Sequence, residues 1–134
     1  MRVETGKEKT HDIITQIFQE DILKAIELKK RAMAAKEGES VLGLSDTGSH
    51  ACYMIYGIVK PGEKGRLVNP GKGHEEIVLA ARGGFELTGA MDGRLEEGCA
   101  FHCAGDTSIF LENTGSQEAV YIISGGHSEE GHHH

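Results

Sequence analysis

The 134-residue sequence has no apolar run of about 18 residues, so it offers no candidate for a membrane-spanning helix. Its opening residues are polar and of mixed charge, without the apolar core of a secretory signal, and the expected location is the cytoplasm. Basic residues are in deficit: 14 Lys and Arg against 21 Asp and Glu leave a formal charge of −7. Phosphate binding needs a basic surface, so this balance argues against nucleic acid as a partner. The one basic cluster, Lys29, Lys30, Arg31 and Lys36, falls at the end of an expected helix, a solvated face that suits the helix dipole. Cysteine is scarce and odd in number, three in all, which fits a reduced compartment rather than a disulfide framework. On one strand Cys99 and Cys103 would lie about 13 Å apart, at roughly 3.3 Å per residue, too far to bridge. Their spacing is not that of a zinc ribbon either, and all three cysteines are read as packing residues. No nucleophile elbow, phosphate-binding loop or dinucleotide fingerprint occurs, and the glycines serve as turn residues.

What the chain does contain divides near residue 40. From Asp12 to Lys36 apolar residues recur with helical period: Ile14, Phe18, Ile22 and Ile26 every fourth residue, with Ile13, Ile17 and Met33 beside them. Asp12 favours the start and Gly38 is a natural stop. One unbroken helix would run about 37 Å at 1.5 Å per residue, longer than a small barrel is wide. It is therefore expected to break near Glu20-Asp21 or to reach a neighbouring subunit. After Ser40 every signal is strand and turn. Val41–Leu44, Ala51–Val59, Gly65–Val68, Cys99–Cys103, Ser108–Leu111 and Ala119–Ser124 read as short strands. Asn69-Pro70-Gly71-Lys72-Gly73 reads as a loop and Asp92-Gly93 as a hairpin. Short strands with turns at nearly regular spacing imply a barrel or sandwich.

The organising stretch is His74 to Leu87, two strands separated by Gly83-Gly84. Strand alternation puts His74, Glu76, Val78 and Ala80 on one face, and Glu75, Ile77, Leu79 and Ala81 on the other. Both faces turn apolar after Glu76, so the strand is expected to be covered on both sides, with its polar end at a barrel mouth, where ligands bind.

Glu76, six residues and Gly83 resemble the end of the first cupin motif. Gly98-Cys99-Ala100-Phe101-His102-Cys103-Ala104-Gly105 and Asn113-Thr114-Gly115 are similar to a degraded second one. The resemblance covers roughly residues 50–125. It implies a mainly β fold, a double-stranded β-helix or jelly-roll barrel, preceded by an α-helical segment. The organisation expected is a helical segment over 1–39, a barrel domain over 40–125 and a disordered tail over 126–134. His132 to His134, in that tail, resemble the end of a purification tag, with a native metal-gathering tail as the alternative.

A full cupin metal site takes two histidines, a glutamate and a third histidine. Here the first pair would fall near Asn69 to Lys72, where there is no histidine, and the third at Ser108 or Ile109. Only Glu76 and, displaced by about one residue, the motif's Asn113 stand in place. A rebuilt set of His74, Glu76 and His102 has donors suited to iron, manganese, nickel or zinc. Glu112, sharing a face with Ser108 and Phe110, is a substitute donor, and Phe110 and Glu112 join the expected ligand wall. Glu76, at the edge of an apolar interior, is the candidate general base. Three functions stay open. They are a homodimeric cupin that holds a small-molecule ligand without metal, a metal-dependent oxygenase, isomerase or lyase, and an assembly module that docks through its N-terminal helix.

Overall fold

The computed structural model describes residues 24–128. Two short helices, α1 (Leu28–Ala34) and α2 (Leu44–Thr47), flank the first of nine strands. The strands are β1 (Glu39–Leu42), β2 (Cys52–Val59), β3 (Arg66–Val68), β4 (Gly71–Arg82), β5 (Phe85–Gly89), β6 (Gly93–Leu95), β7 (Ala100–Gly105), β8 (Ile109–Glu112) and β9 (Ala119–His127). They form two antiparallel sheets, a five-stranded one in the order β1-β2-β9-β4-β7 and a four-stranded one in the order β3-β8-β5-β6. Chain neighbours β4 and β5 lie in different sheets, and the turn at Gly83, left-handed at φ 69°, carries the chain between them. This is the expected jelly roll.

Alternation builds the core between the sheets. Val78 and Ala80 of β4 meet Ile123 and Tyr121 of β9, Val59 of β2, Phe85 and Leu87 of β5, and Ile109 and Leu111 of β8. Full burial of a side chain such as Phe85 or Leu111 contributes about 1.5–3 kcal/mol. Near one end Asn113 is buried, and its Nδ2 donates to the carbonyls of Val59 and Gln117 at 2.9 and 2.8 Å. Its Oδ1 accepts from Gly115 N at 2.9 Å, so this side chain ties β2 to the β8–β9 turn.

Five expectations are corrected. The helix expected up to Lys36 ends at Ala34, and the expected break near Glu20-Asp21 lies outside the described residues. Within the described residues helix begins only at Leu28, and the part before Lys24 lies outside them. In α1 it is Ala32 that packs on Ile58 and Val120, whereas Met33 is exposed, because a seven-residue helix can bury only one narrow stripe. On the second face of β4 Ile77 is 52% exposed, since among the described residues α1 packs over Ile58 and Val120, towards the Arg82 end of that strand. Finally, the Gly126-His127 start of the expected tail is strand, and the Gly71-Lys72-Gly73 end of the expected loop is the bulged beginning of β4. Gly126 is there for close approach. A Cβ on it would stand 2.6 Å from the Ala51 carbonyl oxygen, so the pair with β2 forms only without one. Residues 129–134 lie outside the described residues.

Candidate functional site

The ladder between β2 and β9 carries a reciprocal pair of contacts. Tyr53 is registered opposite Gly125, and Gly57 opposite Tyr121. Each tyrosine ring lies across the bare backbone of its glycine partner: a Cβ would fall 2.4 Å from Cζ of Tyr53 at Gly125, and 2.0 Å from Cζ of Tyr121 at Gly57. Each phenol thereby reaches a carboxylate. Tyr121 donates to Glu39 and accepts from Arg66 Nη1 at 2.9 Å, closing one end of the interior. Arg66 also donates to the carbonyls of Glu37 and Ile58 and to Glu63, so its charge is fully engaged.

At the other end Tyr53 donates to Glu76 Oε2 at 2.5 Å. Glu76 is 5% exposed and is registered beside both Gly125 and Cys103. Burial and then the Glu76 carboxylate push the Tyr53 phenol well above its ordinary range. The same two causes, in the same order, push the Cys103 thiol up from 9.0 to about 11. Tyr53 and Cys103 are therefore held protonated at neutral pH, a donor and a neutral wall around one buried carboxylate. Above them, at the rim, His74 lies edge-on to Tyr53 with ring centroids 6.0 Å apart. His127 stands 5.1 Å from His74, and His50 stacks on His127 at 6.3 Å.

Of the residues singled out from sequence, His74 and Glu76 do share the inner side of β4. His102 does not join them. It lies between the inward Phe101 and Cys103, is registered opposite the exposed Ile77, and meets Glu75 on the outer face with Nε2 and Oε1 2.7 Å apart. Phe110 and Glu112 are likewise on the outer face of their sheet, because Ile109 and Leu111 take the inner positions of β8. They line a shallow hollow with Lys64 and Thr88, away from the barrel interior. The rebuilt His74, Glu76 and His102 metal set is thus not assembled. Nor do the residues present fit a standard cupin metal: of the two third-histidine positions Ser108 accepts from Asn69 and Ile109 is hydrocarbon in the core, and one Glu76 oxygen is held by Tyr53. No group of three or more His, Cys, Asp or Glu side chains among the described residues is placed to hold a metal ion.

Sequence reasoning missed Tyr53, Cys103 and His127 as site residues. A signal for the first was there. Tyr53-Met54-Ile55-Tyr56-Gly57 and Tyr121-Ile122-Ile123-Ser124-Gly125 share one spacing, and antiparallel pairing of equal spacings puts each tyrosine on the other's glycine.

The sequence matches no protein-family model and no curated protein. Its fold is similar to solved structures. The TT1209 protein from Thermus thermophilus aligns at 15% identity over 78% of this chain and 97% of its own, with a TM-score of 0.58. A cupin protein from Bacteroides fragilis aligns at 14% identity over 72% and 81%, with a TM-score of 0.57. An RmlC-like cupin from Shewanella frigidimarina aligns at 13% identity over 61% and 71%, with a TM-score of 0.50. The architecture is the cupin double-stranded β-helix, and at these identities the likeness extends to the fold alone.

Proposed function

We propose that the chain is a cupin-fold binding protein that holds a small polar molecule at Glu76 without the standard cupin metal. One observation carries this reading: a carboxylate only 5% exposed, with Tyr53 as its one side-chain hydrogen-bond donor among the described residues. An ionised carboxylate has about four acceptor positions, and leaving such capacity unused in an apolar interior is costly. A ligand hydroxyl or ammonium supplies the missing donors. Tyr53 and Cys103 fix the ligand's orientation, and His74 is the rim residue it passes.

The test is calorimetric titration of hits from a thermal-shift panel of polyols and small amines. Glu76→Gln is expected to weaken binding by about 10-fold or more, the range for removing a charged hydrogen-bond partner, and Tyr53→Phe by less. A ligand that binds the Glu76→Gln protein as tightly as the parent ends the proposal. The same reading takes the chain as a cytoplasmic homodimer. Three unpaired cysteines support the reduced compartment, and the open face of the five-stranded sheet, with Ile77 and Met54 exposed, supports self-association. A strictly monomeric mass by light scattering would count against the dimer.

A further inference from the structure

The antiparallel ladder of β2 and β9 has a local two-fold axis at the pair Ile55 and Ile123. That axis relates Tyr53 to Tyr121 and Gly57 to Gly125, and carries β4, beside β9, onto β1, beside β2. Glu76 is registered with Gly125 and Glu39 with Gly57, so the two carboxylates are equivalent as well. One motif is thus built twice: a tyrosine laid over a glycine and donating to a glutamate on the next strand. The two copies differ in one component. At Tyr121 a cation completes the motif, with Arg66 Nη1 donating to the phenol oxygen at 2.9 Å and its Cζ 5.7 Å from the ring centroid. At Tyr53 that place has no counterpart. Among the described residues no Lys or Arg makes an ion pair or hydrogen bond with Glu76 or Tyr53, and the residue registered on the β7 side of Glu76 is Cys103. Yet Glu76 is buried at 5% exposure, whereas Glu39 is half-buried. The carboxylate with the greater need of a counter-charge is the one that lacks it.

We propose that the molecule held at Glu76 is a small organic cation with N–H donors, a primary ammonium or a guanidinium, which takes at Tyr53 the place that Arg66 takes at Tyr121. This rests on the reading of Glu76 as a binding carboxylate and narrows it. Tyr53 gives its proton to Glu76 Oε2, so its oxygen keeps acceptor capacity, and Oε1 receives no hydrogen bond among the described residues. An N–H cation donates to both and neutralises the buried charge, through hydrogen bonds about twice as strong as neutral ones. A neutral alcohol brings one donor and leaves the charge uncompensated. A carboxylate or phosphate adds a second negative charge at an end of the interior where no Lys or Arg meets it.

The experiment is titration of the full chain, followed by NMR, with compounds sharing a three-carbon chain: propylamine, propylguanidine, 1-propanol and propionate. Tetramethylammonium serves as a cation without N–H. Propylamine or propylguanidine is expected to bind one per chain, at least about tenfold tighter than 1-propanol and than tetramethylammonium, the range for a charged hydrogen bond, and propionate not to bind. Glu76→Gln should remove that preference for the cation, and Tyr53→Phe should weaken it, which gives a second reading if one variant fails to fold. Glu39→Gln, at the end already filled by Arg66, should leave it unchanged. If 1-propanol binds as tightly as the amine and still depends on Glu76, the cation class is overturned while the binding reading stands. Amine and guanidine that fail to bind, or that bind the Glu76→Gln protein as tightly as the parent, overturn the proposal. The broader reading then falls only if polyols also ignore Glu76.

Discussion

Alanine at Gly57 and at Gly125 perturbs the same cross-strand device at two depths. The added methyl would stand 2.0 Å from Cζ of Tyr121 in the first case and 2.4 Å from Cζ of Tyr53 in the second. Carbon atoms in contact rest about 3.5–4.0 Å apart, so either ring has to leave its place. Tyr121 is fully buried against Phe85 and bound to Arg66 and Glu39, and has no way out. Overpacking costs about 1–3 kcal/mol and the loss of a charged hydrogen bond about 1.5–3, so Gly57→Ala should destabilise by roughly 3–5 kcal/mol. Tyr53 is only half-buried and can swing towards solvent, giving up its bond to Glu76 with little core strain. Gly125→Ala should therefore cost less, about 2 kcal/mol. Urea denaturation with an unchanged m-value reads both numbers. The sharper test is the pair of Gly125→Ala with Tyr53→Phe. Once the methyl has displaced the phenol, removing its hydroxyl should add less than about 0.5 kcal/mol, against about 2 in the parent. Additive costs, or a Gly57→Ala protein more stable than the Gly125→Ala one, would refute the reasoning.

Asn113→Ala should cost about 3 kcal/mol by urea denaturation, because it strips donors from the Val59 and Gln117 carbonyls at a buried turn; a loss under about 1 would show water taking over. At pH 8 iodoacetamide should label the exposed Cys52 and Cys99 and spare Cys103 until the protein unfolds, and native labelling at Cys103 by mass spectrometry would contradict its burial. The folded Cys103 thiol holds its proton more tightly than the unfolded one. Its contribution to stability is therefore full below pH 9.0 and lost as the pH rises towards 11, and Cys103→Ala should lessen the fall in denaturation midpoint between pH 9 and about 10, above which the raised Tyr53 and Tyr121 phenols add their own loss.

The fold was legible because its signals are local. Strand alternation and the Asp92-Gly93 hairpin act within a few residues and imply a barrel or sandwich, and the motif resemblance carried by Glu76 and Gly83 selects the jelly roll. The site was half legible. Periodicity along β4 put His74 and Glu76 together correctly, because alternation within one strand needs no register. His102, Phe110 and Glu112 required knowing which side of β7 and β8 faces inward, and a one-residue change of phase reverses that choice. In β7 the deciding residue is Cys103, whose burial turns His102 outward. His127 was hidden because it fell within the expected disordered tail, whereas Gly125 and Gly126 before it are strand residues beneath the Tyr53 ring and the Ala51 carbonyl. The open outer face of β4 was missed because Ile77 and Leu79 look buried in sequence, while the short α1 leaves Ile77 uncovered.

The central claim is that Glu76 serves a polar ligand rather than a metal. Elemental mass spectrometry tests it on the protein with its tail histidines replaced, after incubation with iron, manganese, nickel, zinc and copper. Metal content in the Glu76→Gln protein should equal that of the parent, because the Glu76 carboxylate holds no metal in this account. Metal that is stoichiometric in the parent and lost on Glu76→Gln would put the ion on the buried carboxylate and contradict the account.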